Sequence, residues 1–193
     1  MSVSGAIESH RGELIAAASG LPFIVFLCGP SLRQTRCRPS ARLRERLYRD
    51  LAAAKFEVIL GEDDGLENSR LDLGINAQDN ELEFIRSYCN AVVIIADSVG
   101  AFCELGLFSW HFVHRDGVLR KNGNTDCIVL INEKYKKYRS YLNEGPAAAV
   151  NGFGKLEFVN FAAYDSNDII KRLSSRRGVM TMDRRGRPRK SSP

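Results

Sequence analysis

The chain has 193 residues, of which 44% are hydrophobic and 26% charged, and a formal net charge of +5. That length suits one domain with its own core, and no apolar run approaches the roughly 18 residues that a membrane-spanning helix needs. The five cysteines include no C-x-x-C pair and the three histidines no H-E-x-x-H spacing, so no metal site is expected and a reduced, cytoplasmic setting without membrane attachment is.

The charge is unevenly placed. From Lys171 onward nine Lys or Arg stand against the single Asp183, leaving 19 basic and 22 acidic residues elsewhere. The body is therefore mildly acidic, and the basic excess predicts a solvated, disordered tail over residues 176–193. At the other end, "MSVSGAIESHRGELIAAASG" has no basic lead and carries Glu8 and Glu13. It fits a helical extension over residues 1–20 better than a secretion signal.

Residues 21–175 alternate between strand and helix patterns. "LPFIVFLCGP" reads as a buried strand closed by Gly29-Pro30. From Ser40 the period changes: Leu43, Leu47, Tyr48 and Leu51 line one face and Arg42, Arg46 and Arg49 another, predicting a helix from Ser40 to Lys55 with Ser40 as N-cap. "FEVILGEDDG" is a short strand running into an acidic turn, and Gly65 to Ala77 reads as a loop. "AQDNELEFIRSYCN" has helical spacing in Leu82, Ile85 and Cys89, and "AVVIIADS" is a third buried strand. A helix is expected from about Ala101 to His114 with Ala101, Leu105, Phe108 and Phe112 facing inward, followed by an exposed turn, "RDGVLRKNGNTD". "CIVLIN" and "KLEFVNF" are the fourth and fifth strands, and "SNDIIKRLSS" is a last helix capped by Ser166 or Asn167.

Nearly all-apolar strands alternating with helices predict an α/β fold: a Rossmann-like, mostly parallel five-stranded sheet with helices on both faces. Ligands in such sheets sit beyond the carboxyl ends of the strands, where the strand order reverses. That rule selects the loops "CGPSLRQTRCRP", "GEDDGLEN" and "DSVGAFCE". In the last of these, Glu104 is expected in the first turn of a helix, where unpaired N–H groups and the helix dipole favour its ionised form. An ionised carboxylate at a nucleotide-sized crevice can attack or support the anomeric carbon of a ribosyl group. The plain alternative is an acid that only stabilises a helix end, by about 0.3–1 kcal/mol.

"FLCGP" together with "DSVGAFCELG" resembles the nucleoside 2-deoxyribosyltransferase-like superfamily, in which a first-strand turn faces a "GxxxELG"-type turn whose Glu is the nucleophile. The closer resemblance is to small antiphage effectors encoded with bacterial retrons, through the "SxGxxxELGxF" turn, "YRSYLNEGPAAAV" and "GKLEFVNF". The resemblance implies Glu104 as nucleophile, with Gly100 and Gly106 giving close approach and Gly29 and Pro30 shaping the floor. It implies a second acid that manages the proton of the departing base, and both Asp79 and Glu81 fit. Asp97 and Ser98 stand where relatives recognise the sugar, but the usual Asp is shifted by one residue, so no sugar preference carries over. Asn143 corresponds to a region that completes a neighbouring subunit's pocket in the superfamily, which implies a homo-oligomer. Its surroundings, "KYKKYRSYLNEGPAAAV", otherwise read as an exposed amphipathic helix.

The implied reaction is cleavage of an N-glycosidic bond in a nucleoside, nucleotide or NAD. Water as acceptor gives a glycohydrolase, and a second base gives a transferase. No cofactor is implied, NAD entering only as substrate. Arg33, Arg36 and Arg38 follow the first strand and suit phosphates. In the tail, Arg185, Gly186, Arg187 and Pro188 resemble an AT-hook, whose arginines enter a narrow minor groove. DNA, RNA or a retron reverse transcriptase complex is the partner this implies. Two readings without catalysis stay open: a nucleotide sensor and a nucleic-acid-binding module.

Overall fold

The computed structural model describes residues 3–62, 76–114, 125–137 and 139–184. The strands are β1 (Ile24–Cys28), β2 (Glu57–Leu60), β3 (Ala91–Ala96), β4 (Asp126–Asn132) and β5 (Lys155–Val159). They form one parallel sheet in the order β2-β1-β3-β4-β5. The order reverses between β1 and β3, which opens the crevice for a ligand at their carboxyl ends. Their register sets Cys28 beside Ile94, so β1 stops two residues short of the end of β3.

Alternate side chains of the central strands feed two cores, because successive residues of a strand point to opposite faces. On one face Phe26, Cys28, Val92, Ile94, Val129 and Ile131 meet α3 (Ala77–Tyr88) and α4 (Val99–His114) through Ile85, Leu105 and Phe108. The same layer holds α5 (Ala148–Phe153) through Val150. On the other face Val25, Leu27, Val93, Ile95 and Leu130 meet α2 (Pro39–Ala53) and α6 (Asn167–Arg184) through Leu43, Leu47, Leu51, Ile169 and Leu173. Each large apolar side chain fully buried in this way contributes about 1.5–3 kcal/mol. The first helix, α1 (Val3–Ala18), packs along α6.

Three expected boundaries move for identifiable reasons. Pro39 takes the first position of α2, so Ser40 is not its cap; the buried Ser40 hydroxyl instead donates to Asp97 Oδ2 at 2.5 Å. α4 begins at Val99, two residues early, because Ser98 Oγ accepts the Ala101 N–H at 3.2 Å. α6 runs on to Arg184, past the expected limit of the domain at residue 175, because its arginines are held rather than solvated. Arg172 donates to both carboxylate oxygens of the buried Asp126, at 2.6 and 2.7 Å, and Arg176 joins at 3.3 Å. Arg177 donates to the carbonyls of Ala54 and Lys55 and lies over the Phe56 ring, 4.2 Å from its centre. Ser166, just before α6, donates its hydroxyl to Asp50.

The loop expected from Gly65, the turn after His114 and the Arg185–Gly186–Arg187–Pro188 motif lie wholly or largely outside the described residues, as does the side chain of Phe112. Among the described residues no helix is long and apolar enough to cross a membrane.

Candidate active site

The end of β1 is organised by a buried cation. Arg44, one turn into α2 and with only 2% of its side chain exposed, passes over the turn that follows Cys28. Its five N–H donors are all engaged: Nε and Nη2 with Leu27 O at 3.3 and 2.8 Å, Nη1 with Pro30 O at 3.2 Å, and the fork with Glu62 Oε1 and Oε2 at 2.6 and 2.8 Å. Gly29, at φ +153°, makes this crossing possible. A Cβ there would lie 3.2 Å from both Arg44 Cδ and Ile95 Cβ. Arg44 and Glu62 are absent from the expected site. The signal for Arg44 was its spacing, since Ser40, Arg44, Leu47 and Leu51 recur along one helix face and all four are buried.

Around this cation stand two carboxylates on separate helices. Glu104, from α4, faces the Cys28 thiol, which donates to it. Burial pushes the Glu104 carboxyl above the ordinary range and Glu62 adds to the rise, while Arg44 and the thiol oppose it. Its Oε2 is buried with no hydrogen-bond partner among the described residues. The expectation of a first-turn acid supported by the helix dipole is therefore corrected: no acidic residue occupies the first turn of α4, and what favours ionisation of Glu104 is Arg44 and Cys28.

Glu81, from α3, lies over the turn after β2, where a Cβ on Gly61 would come 3.1 Å from its Oε1. Burial, then the charge of Glu104, then that of Glu62 raise its carboxyl to about 7, with no cation opposing them. The thiol of Cys28 is pushed well up by burial and by both acids, which keeps it a donor. The two carboxyls thus share one region but not one environment. Such unequal pairs divide into an acid and a base.

The remaining expected residues are spread more widely. Asp79 is exposed at the start of α3, where its backbone N–H donates to Asn76 Oδ1 at 3.0 Å and its carboxylate accepts from Asn76 Nδ2 at 2.7 Å. It is part of the helix cap, away from the Glu104 carboxylate's neighbours. Pro30 is buried and gives its carbonyl to Arg44. Asp97 joins the crevice wall to α2 through Ser40 and through its carbonyl, which accepts from Arg38 Nη1 at 3.3 Å. Arg33 and Arg36 are exposed in and beside the 3-10 turn Leu32–Gln34. Gly100 is exposed on the first turn of α4, and a Cβ there or on Gly106 would meet nothing within 4 Å. Neither position demands glycine for its backbone.

Asn143 opens a π-helical turn, Asn143–Ala147, and donates from Nδ2 to Tyr135 O at 2.7 Å within its own chain. The surrounding segment is thus a 3-10 turn (Glu133–Tyr135), the π turn and α5 in succession, in place of the single exposed helix its composition suggested.

No curated protein and no solved structure matches the chain. A family model described as STM3845 retron effector protein matches residues 40–190, a span that begins in α2, contains Arg44, Glu62, Glu81 and Glu104, and leaves β1 and its turn before it. With most of its length matched in this way, the chain belongs to the STM3845 retron effector protein family.

Proposed function

We propose that this retron effector cleaves the N-glycosidic bond of a nucleoside, a nucleotide or NAD, in the manner of the nucleoside 2-deoxyribosyltransferase-like superfamily, and that the loss of that metabolite is its contribution to antiphage defence. The observation that carries the reading is the pairing of Glu104 and Glu81 at the carboxyl ends of β1 and β3, one beside a cation and a thiol, the other without a cation.

In the first step the Glu104 carboxylate forms a bond to the anomeric carbon as the bond to the base nitrogen breaks. The bonding electrons leave with the base, and Glu81 supplies its proton. In the second step water, or a second base, attacks the same carbon and displaces Glu104. The proton this releases returns to Glu81, which restores both groups. The free Oε2 of Glu104 suits the attacking role, since no protein donor has to be displaced before it engages a substrate. Arg33 and Arg36, exposed after β1, and Arg38, bridging to Asp97, suit a substrate that carries phosphate.

The test incubates the purified protein and its Glu104→Gln variant with NAD, nucleotides and deoxynucleosides and follows free base by chromatography. The reading expects release by the wild type and a fall of at least about a hundredfold in the variant, in keeping with loss of a nucleophile. Adding a second base separates transferase from hydrolase by the appearance of a new nucleoside. Binding without release by both proteins would favour a sensor.

A further inference from the structure

Arg44 is unusual among the charged residues of the described chain. It is buried at the end of β1, and every one of its donors is used on Leu27, Pro30 and Glu62, so none remains for Glu104. Its guanidinium nevertheless lies against the Cys28–Gly29 turn, and the Cys28 thiol is what meets the Glu104 carboxylate. A cation fixed this firmly acts on a neighbouring carboxylate through its field, and in a water-poor setting that field is weakly screened. Glu62, half exposed where β2 ends, neutralises part of it.

We propose that Arg44 is a positioning residue that makes Glu104, and not Glu81, the ionised member of the carboxylate pair, and that Glu62 tempers this effect. The proposal rests on the assignment of that pair as the reacting groups and adds the reason for their division of labour. The groups that face Glu104 come from four elements: Cys28 from β1, Arg44 from α2, Glu62 from the turn after β2, and Glu81 from α3. On its own helix His111 lies two turns further along the same face. Of these only Arg44 supplies a fixed positive charge. Its support for Glu104 explains why Glu81 responds to the charge of Glu104 while Glu104 shows no matching response to Glu81: when Glu104 ionises, Glu81 still holds its proton.

A structural role for Arg44, tying the turn to α2, would predict only a looser fold when it is replaced. A role through charge predicts movements of opposite sign from the two members of the ion pair. The experiment is a titration of the side-chain carboxyls by carbon-detected NMR in protein labelled at glutamate, for the wild type, Arg44→Lys, Arg44→Gln and Glu62→Gln. Glutamine replacements at positions 81 and 104 assign the signals. In the wild type Glu104 should titrate below Glu81. Arg44→Gln should raise the Glu104 midpoint by about one to three pH units, closing or inverting the gap. Arg44→Lys should preserve the order, and Glu62→Gln should move the Glu104 midpoint down.

Folded Arg44→Gln protein with an unmoved Glu104 midpoint would overturn the proposal. So would a Glu62→Gln variant in which that midpoint stays or rises, which keeps the test decisive if Arg44→Gln fails to fold. Because the titration needs no turnover, it is distinct from the base-release assay. An ordered pair in a protein that releases no base would refute the proposed reaction while upholding the role of Arg44.

Discussion

At the scale of single residues, the division between Glu81 and Glu104 makes a kinetic prediction with a definite sign. Glu81 is a carboxyl raised to about 7 and must hold its proton to serve the departing base. Turnover per unit substrate should therefore fall as pH rises through about 7, roughly tenfold per unit, and Glu81→Gln should lose that alkaline limb along with most of its rate. The measurement is kcat/KM against pH for both proteins, and an unchanged alkaline limb in the variant would remove Glu81 from the role. Which acid to choose was not legible from the sequence. Asp79 and Glu81 are two residues apart on one helix, and a two-residue step turns a side chain through more than half a turn of the cylinder. The structure separates an exposed cap residue from a half-buried neighbour of the turn after β2. Arg44 was hidden for a related reason. Arginines 42, 46 and 49 announce a solvated face, and burial of a fourth depends on Glu62 and on carbonyls at a strand end that lies well before it in the chain.

At the scale of elements, the strands were legible because β1, β3 and β4 are buried on both faces and so read as continuous apolar runs. Helix ends were less so. The start of α4 depends on which hydroxyl or glycine accepts the capping role, and Ser98 took it ahead of the glycine turn. The length of α6 depends on Asp126, a buried acid at the first position of β4 that neutralises Arg172 and Arg176 from a distant part of the chain. The junction into β5 gives an element-level test. A Cβ on Gly154 would fall 2.4 Å from the carbonyl oxygen of Cys127, on the neighbouring strand, so the backbone itself must move to admit alanine. Gly154→Ala should cost near the upper end of the about 1–3 kcal/mol typical of overpacking. In a domain of this size that lowers Tm by roughly 2–4 °C per kcal/mol. Thermal unfolding followed by circular dichroism reads this directly, and an unshifted Tm would show that β4 and β5 are less closely held than described.

At the scale of the whole molecule, the architecture and the chemistry converge on one place. The strand order reverses between β1 and β3, and the carboxyl end of β1 carries Cys28, Gly29 and the buried Arg44 fork. Glu104 comes to that point from the helix after β3, and Glu81 from the helix before it. The α/β sheet and the position of the crevice were legible from alternation and apolar runs alone. The electrostatic frame was not, because it is assembled from residues on four elements that no local pattern links. The central claim is that Glu104 takes the sugar. It is tested most directly by quenching the wild-type protein with a substrate that it cleaves and mapping its peptides by mass spectrometry. The account predicts a ribosyl or deoxyribosyl mass added to the peptide that contains Glu104, absent when Glu104→Gln is treated alike. Base release that persists in Glu104→Gln, with no sugar on that peptide in either protein, would contradict it.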